Sequence, residues 1–351
     1  MMPALKIADI QLHQPLVQAG LAGYSDRAMR LVARRRGCPY AVTEALLDII
    51  LLNGGKGLKQ SVDINDEDHP IAAQLIGSEP GQMAQAAVIL ANAGYDVIDI
   101  NLACPVKKIR SKARGGHLLS DEQTAVDILH AVRDALPPTV PTTLKIRKAF
   151  DGSDESHDLV ARILDAAFAC DYAAAAVHAR TVEQKYGGTA SWGFLRQLKN
   201  RYPQNVILGS GDVFDAPSAV SMLRTTGVDG VWIARGAIGN PWIFQQTAQL
   251  LNGADASTLA PPTVFEQREA LIEHFLEAMK IHGEQLAGRR MRKMGIRYAR
   301  FHPEAELVKQ AFIQVLSLRD WQKVLEAFYH SDIPGVWPAT TTVDLVNECA
   351  A

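Results

Sequence analysis

The chain has 351 residues, a formal net charge of −2, and hydrophobic and charged fractions of 48% and 21%. This length suits about two domains of ~150 residues, or one large barrel with a smaller appendage. The composition excludes a disordered chain, no apolar run approaches the ~18 residues of a membrane helix, and the near-zero charge leaves a polyanion to be held only by local basic patches.

The first twenty residues, MMPALKIADIQLHQPLVQAG, lack the basic start and unbroken apolar stretch of a secretory signal, and the final Ala350 and Ala351 form no sorting tag. A cytoplasmic location is expected. Cys38, Cys104, Cys170 and Cys349 are far apart and match no metal-ligand spacing, so neither a disulfide framework nor a metal site is expected.

Short apolar runs then alternate with stretches of helical period. Strands are expected at PLVQAG near residue 15, YAVTEA at 40, PIAAQLIG at 70, VIDINL at 97, TTLKIR at 142, AAAVHAR at 174, VILGSG at 206 and GVWIAR at 230. Helices are expected over Asp26 to Arg36, Pro80 to Ala93, Asp121 to Leu136, Asp158 to Ala169, Ala190 to Arg201 and Pro217 to Thr226. Eight strand–helix units in this length match a (β/α)8 TIM barrel; an open doubly wound sheet is the alternative reading of the same alternation.

A barrel carries its chemistry at the C-terminal strand ends. Gln74, Asn101, Cys104, Lys145, Arg147, His178, Arg180, Ser210 and Arg235 fall there, inside or just after runs that burial would otherwise keep apolar. After Leu251 the segment NGADASTLAPPT reads as a linker, and four stretches of helical period follow it. The expected division is a barrel over residues 1–255, a helical domain over 260–335 and a tail over 336–351, with the chain from Ile333 loosely attached.

The Gly-rich ends of the last two strands, Gly209-Ser210-Gly211 and Ala234-Arg235-Gly236, occupy the usual phosphate position of such barrels. Gln74 suits the edge of a uracil-like pyrimidine and Lys145 an anion on a reduced flavin ring, so FMN fits these parts. Taken singly, Lys145 is also readable as a snorkelling strand-end lysine and His178 as a core histidine.

The motifs DINLACPVKKI, GGHLL, LKIRKAFD, VHARTVEQKYGG, GSGDV and ARGAIGNPWIF, in this order, resemble the tRNA-dihydrouridine synthases, in particular their bacterial B-type branch. The resemblance runs from about Leu16 to Arg300. It implies an FMN-containing barrel with a C-terminal helical domain that reduces particular uridines of tRNA with NADPH. It implies Cys104 as the catalytic cysteine, Asn101 beside the target uracil, Gln74, Lys145 and His178 against the flavin, Arg180 on the substrate side, and Gly211, Ala234 and Arg235 in the phosphate loops. Three positions depart from the family pattern: Gly20 replaces a proline, Ser210 an asparagine and Met294 a histidine.

Saturating a uracil C5=C6 bond takes a hydride at C6 and a proton at C5. A cysteine with an ordinary pKa of about 8.5 is protonated at neutral pH, which suits Cys104 to the role of acid. Lys107, Lys108, Arg110, Lys112 and Arg114 follow it in a loop without acidic residues. A second run, Arg289, Arg290, Arg292, Lys293, Arg297 and Arg300, is expected to cover one helix face and, with Lys107 and Lys108, to grip tRNA phosphates. The target uridine then has to leave its stack. No obligatory protein partner is evident. A flavin oxidoreductase of free pyrimidines, a non-catalytic RNA-binding barrel and a Schiff-base aldolase using Lys145 are the competing readings.

Overall fold

The computed structural model describes residues 4–338 apart from 56–57, 59–61 and 63; Cys349 and most of the expected tail lie outside the described residues. A short antiparallel hairpin comes first, β1 (Leu5–Ile7) with β2 (Ile10–Leu12). The parallel strands follow as β3 (Leu16–Gln18), β4 (Ala41–Val42), β5 (Leu46–Leu47), β6 (Ile71–Ile76), β7 (Val97–Leu102), β8 (Thr142–Arg147), β9 (Ala174–His178), β10 (Val206–Ser210) and β11 (Gly230–Ile233). Among the described residues, β3, β4 and β6 to β11 close into an eight-stranded barrel, because β3 pairs with both β11 and β4 and β4 pairs with β6. The (β/α)8 expectation is met, and the open sheet is excluded by this closure.

All eight expected strands are present. The central ones, β6, β7 and β8, are buried at every residue; β6 and β7 accordingly read as mostly apolar runs, while β8, TTLKIR, carries Thr143, Lys145 and Arg147 into the interior and mouth. The second strand departs from expectation: within YAVTEA only Ala41–Val42 forms a strand, β4, and after a break at 43–45 a further short strand, β5, follows at Leu46–Leu47, both pairing with β6. Thr43 keeps its own N–H on Ala72 O, and its hydroxyl accepts from Gln74 N at 3.0 Å. The hairpin β1–β2, unforeseen in the sequence, packs Leu5, Ile7 and Leu12 with Val17, Ala72, Val97 and Trp232 and plugs the barrel's lower end.

Six expected helices occur at Arg27–Arg34, Pro80–Asn92, Glu122–Ala135, Asp154–Ala169, Trp192–Arg201 and Ala216–Thr226. The fourth starts earlier than expected because Ser153 caps it, accepting from Ser156 N at 3.2 Å. An unforeseen helix, Ile243–Leu251, follows β11. The C-terminal region consists of Val264–His282, Glu284–Tyr298, Ala305–Ile313 and Leu318–Phe328, the first and last opened by capping boxes at Thr263 and Ser317. No helix among the described residues is long and apolar enough to cross a membrane.

The helical region shares one continuous apolar core with the barrel. Trp242 meets Tyr298 and Phe301 edge-on at centroid distances of 5.8 and 5.6 Å, and Arg35 and Arg36 reach Glu277 and Glu273 at 3.2 and 2.7 Å. The chain from Ile333, expected to be loose, is fastened over its described part: Val264 N donates to Ile333 O at 3.0 Å and Val336 N to Phe301 O at 2.8 Å.

The turn before β6 is locked from the first helix. Asp68 is fully buried and accepts from Arg30 Nε and Nη2 at 2.9 and 2.6 Å, while Arg34 Nη2 donates to the Asp68 carbonyl at 2.6 Å. Asp68→Ala strands a buried guanidinium, and a loss of about 3–5 kcal/mol is expected. Urea unfolding of the variant and the wild type measures it.

Candidate active site

The C-terminal strand ends surround a cavity of about 240 Å³. Strand register sets its walls: Asn101 lies beside Lys145, Arg147 beside His178, and His178 beside Ser210. Of the residues singled out in the sequence, Gln74, Asn101, Cys104, Lys145, His178, Ser210, Gly211, Ala234 and Arg235 line this cavity together. Gly209 and Gly236 do not. A Cβ on Gly209 would stand 2.8 Å from Met222 Sδ, towards the outer helices, and one on Gly236 would collide with Val213 O, so these glycines serve packing between and behind the loops.

The polar groups are joined in series. Thr143 Oγ1 donates to Asp99 Oδ1 at 2.6 Å, Gln74 Nε2 to Asp99 Oδ2 at 2.8 Å, and Asn101 Nδ2 to Gln74 Oε1 at 2.6 Å. Asn101 Oδ1 then accepts from the backbone N–H groups of Ala103 and Cys104 at 2.9 and 3.1 Å. Gly116 N donates to Cys104 O at 3.0 Å and closes the loop from its far side. Gly115, at φ +58, packs so closely that a Cβ would stand 2.9 Å from Cys104 Cβ. Burial pushes the Cys104 thiol up, against the lowering effects of the Val106 N–H and Arg147, so it stays protonated at neutral pH.

Lys145 is buried; among the described residues its Nζ hydrogen-bonds only to the carbonyls of Ile146 and Ala176, both at 3.4 Å, and lies 5.8 Å from the centre of the Trp232 ring. Burial, reinforced by Arg147 and opposed by Asp99, brings its pKa down to about 7. His178 is held well below its ordinary value by burial and by the charges of Arg147, Lys145, Arg180 and Arg235, and is neutral. Its Nδ1 is 3.3 Å from Ser210 Oγ, while its buried Nε2 has no hydrogen-bond partner among the described residues.

Arg147 received no role from sequence. Its Nε donates to Ala103 O at 2.9 Å and its Nη1 to Thr181 O and Lys185 O at 2.8 Å, strapping the cysteine loop to the loop after β9. Tyr186 of that loop lines the cavity and lies against Arg235, which is also stacked on Phe214. Arg180 stands behind the wall. It is 2% exposed and is held by both Asp212 oxygens at 2.8 Å and by Gly187 O at 3.0 Å, so in this geometry it braces the β10 loop and touches no open space. Asp99, Thr143, Tyr186 and Asp212 were likewise missed; a carboxylate two residues before Asn101, on the same strand face, was the available signal.

The basic runs divide. Lys107 and Lys108 are exposed, whereas Arg110 lies over the Phe150 ring at 4.9 Å and Arg114 pairs with buried Asp48 at 3.3 Å. In the second run Arg289, Arg290 and Arg292 are exposed and Lys293 places its Nζ 4.2 Å above the Tyr24 ring at the cavity edge. The expectation of a single face fails at its end. Arg297 is buried against Gly239, and Arg300 Nη2 donates to Ile238 O at 2.9 Å, both at the junction with the barrel. The departures from the family pattern also have places: Gly20 abuts Thr43 O, where any Cβ would collide, Ser210 meets His178, and Met294 is buried in the core.

A closed parallel barrel whose mouth gathers a buried lysine, a histidine nitrogen without a hydrogen-bond partner among the described residues, two glycine-rich loops and a cysteine thiol has the layout of an enzyme of the barrel class. Residues 17–331 match the family model for dihydrouridine synthase, and the chain belongs to that family, whose members are flavin-dependent oxidoreductases. It is similar to tRNA-dihydrouridine synthase B of Xanthomonas campestris pv. campestris, with 35% identity over 301 residues covering 86% of this chain and 88% of the relative. The same-named protein of Xanthomonas axonopodis pv. citri is 34% identical over 95% of this chain and 98% of its own. A probable tRNA-dihydrouridine synthase of Mycobacterium tuberculosis is 31% identical over 92% and 84%. Among solved structures, histamine dehydrogenase from Rhizobium sp. 4-9 shares the fold at a TM-score of 0.56 and 14% identity, over 71% of this chain and 47% of that one.

Lys145 costs stability. With a folded pKa below its unfolded value, it binds more protons unfolded than folded between about pH 7 and about pH 10, so its penalty is largest at low pH and fades as pH rises. Lys145→Met is expected to stabilise the flavin-free protein at neutral pH, with the gain shrinking towards about pH 10. Urea midpoints across that range read it.

Proposed function

We propose that this chain reduces the C5=C6 bond of specific uridines in tRNA with NADPH as reductant, holding FMN in the barrel mouth and using Cys104 as the proton donor. The observation that carries the reading is the placement of Cys104, its loop anchored by Asn101 and Arg147, at the edge of a cavity lined by Gln74, Lys145 and His178.

The residues present fit FMN. The orphaned His178 Nε2 and the long contacts of Lys145 Nζ leave both groups short of partners that a polar ring edge provides. Gly211, at φ +127, gives the β10 loop a backbone that a side chain would strain. Gln74, Lys145 and His178 would hold the ring, and Ser210, Gly211, Ala234 and Arg235 the phosphate, with Gly209 and Gly236 shaping the loops. When bound and reduced, FMN supplies the hydride for uracil C6.

The chain's own residues do the rest. Asn101 has its carbonyl committed to the cysteine loop and offers its second N–H to a uracil oxygen. Cys104 delivers a proton to C5 from Sγ, and its raised pKa keeps that proton in place until the carbanionic carbon demands it. Lys145, cationic when an anion lies against it, neutralises charge developing on the ring. Arg180 acts as a brace for the phosphate loop through Asp212.

In this reading residues 1–255 carry the chemistry and 260–335 bind tRNA. Exposed Lys107 and Lys108 on one side, and Arg290 and Arg292 with Lys293 on the other, contact phosphates on either side of a flipped uridine. A free pyrimidine would have no use for either group, and a non-catalytic barrel no use for the ordered thiol. A cytoplasmic location fits a tRNA substrate.

Cys104→Ala is expected to keep bound flavin and its reduction by NADPH, while reoxidation of the reduced variant by tRNA slows by about a hundredfold or more. Stopped-flow absorbance separates the two half-reactions. Reoxidation at the wild-type rate would remove Cys104 from the proton-donor role.

A further inference from the structure

Gln74 and Asn101 have amide groups whose direction decides what they offer, and two different ends of the chain of hydrogen bonds fix that direction. At one end, Asp99, whose pKa burial raises to about 6 against the lowering effects of Thr143, Gln74 and Lys145, is an acceptor once ionised above that pH, so the Gln74 atom 2.8 Å from it is Nε2. Gln74 Oε1 then faces Asn101, which must present Nδ2 at 2.6 Å. At the other end, the backbone N–H groups of Ala103 and Cys104 only donate, so the Asn101 atom facing them must be Oδ1. Both ends give one answer. Reversing either amide would set donor against donor or acceptor against acceptor in a buried, low-dielectric site.

We propose that Asp99 is a positioning residue for Cys104: through Gln74 and Asn101 it holds the backbone of the cysteine loop in place, the successive links joining residues 25, 27 and 3 positions apart in the chain. The proposal rests on the reading of Cys104 as the reacting thiol. Asp99 touches neither cavity nor loop; it is fully buried on β7, with Thr143 Oγ1 at 2.6 Å holding its second oxygen. Its place below the mouth explains a carboxylate in the middle of an apolar strand, which a packing role alone leaves costly. The same relay consumes the Asn101 carbonyl, so Asn101 presents a donor and selects an oxygen on the ligand edge that meets it.

The test uses iodoacetamide on the full chain, with alkylation of each cysteine followed by mass spectrometry of peptides. In Asp99→Ala the loop loses its distant anchor, and Cys104 is expected to react about tenfold faster than in wild type, the scale of one buried hydrogen bond. Asp99→Asn keeps a carbonyl that accepts from Gln74, and its Cys104 is expected to return to within about threefold of wild type. Buried Cys38 is the internal control. Acceleration confined to Cys104 and reversed by Asn supports the relay. An unchanged Cys104 rate, or equal acceleration at Cys38 from general loosening, overturns it. Should Asp99→Ala not fold, Thr143→Val removes one Asp99 contact; about threefold faster Cys104 alkylation is then expected, and an unchanged rate again overturns the relay. Failure of the wild type to reduce uridine would count against the proposed function and leave this comparison standing.

Discussion

The interior of a closed parallel barrel opens to water only at its mouth, and every polar group set inside it must find a partner there. This chain places Asp99, Thr143, Gln74, Asn101 and Lys145 in that interior. Four of them satisfy one another in a single hydrogen-bonded series that ends on the cysteine loop. The fifth, Lys145, is left with two long carbonyl contacts and a pKa near 7. The contrast separates scaffold from chemistry. A satisfied series is rigid, whereas an undersatisfied lysine and a histidine nitrogen without a partner are groups prepared for a ligand.

The same economy governs the second half of the chain. The helical region is docked through Trp242, Tyr298 and Phe301 and through ion pairs from the first barrel helix, so its orientation over the mouth is set by a shared core. Two arginines of its basic run are used in that docking, and those that remain outside are spaced along one helix near the Tyr24 edge of the cavity. In the proposed reading they meet phosphates, contacts that position a nucleic acid without reading it. Selection of a uridine then falls, in the same reading, to the cavity, where Asn101 and Cys104 stand together.

The barrel was legible because strands buried on both faces must be apolar, and β6 to β9 obey that rule closely enough for their polar exceptions, Gln74, Asn101, Lys145 and His178, to stand out. The C-terminal helices were legible from their period and the capping boxes at Thr263 and Ser317. The hairpin β1–β2 was not, since three-residue strands carry too little pattern. Nor was the break at 43–45 between β4 and β5, where the Thr43 hydroxyl accepts the Gln74 N–H. Asp99 was passed over because its meaning lies in register: only the pairing of β6 with β7 sets it beside Gln74. Arg180, Arg297 and Arg300 read as substrate contacts in one dimension, and tertiary packing assigns them to Asp212, the Gly239 turn and Ile238 O. Residues on strands were placed well by sequence, and long side chains on loops and helices were not, because their partners are distant in the chain.

The most direct test of the account is to incubate tRNA lacking dihydrouridine with the purified protein, FMN and NADPH, and to map the product by nuclease digestion and mass spectrometry. A gain of two hydrogens at a defined uridine is the predicted result. Unmodified tRNA, from protein that holds FMN and oxidises NADPH, would contradict it.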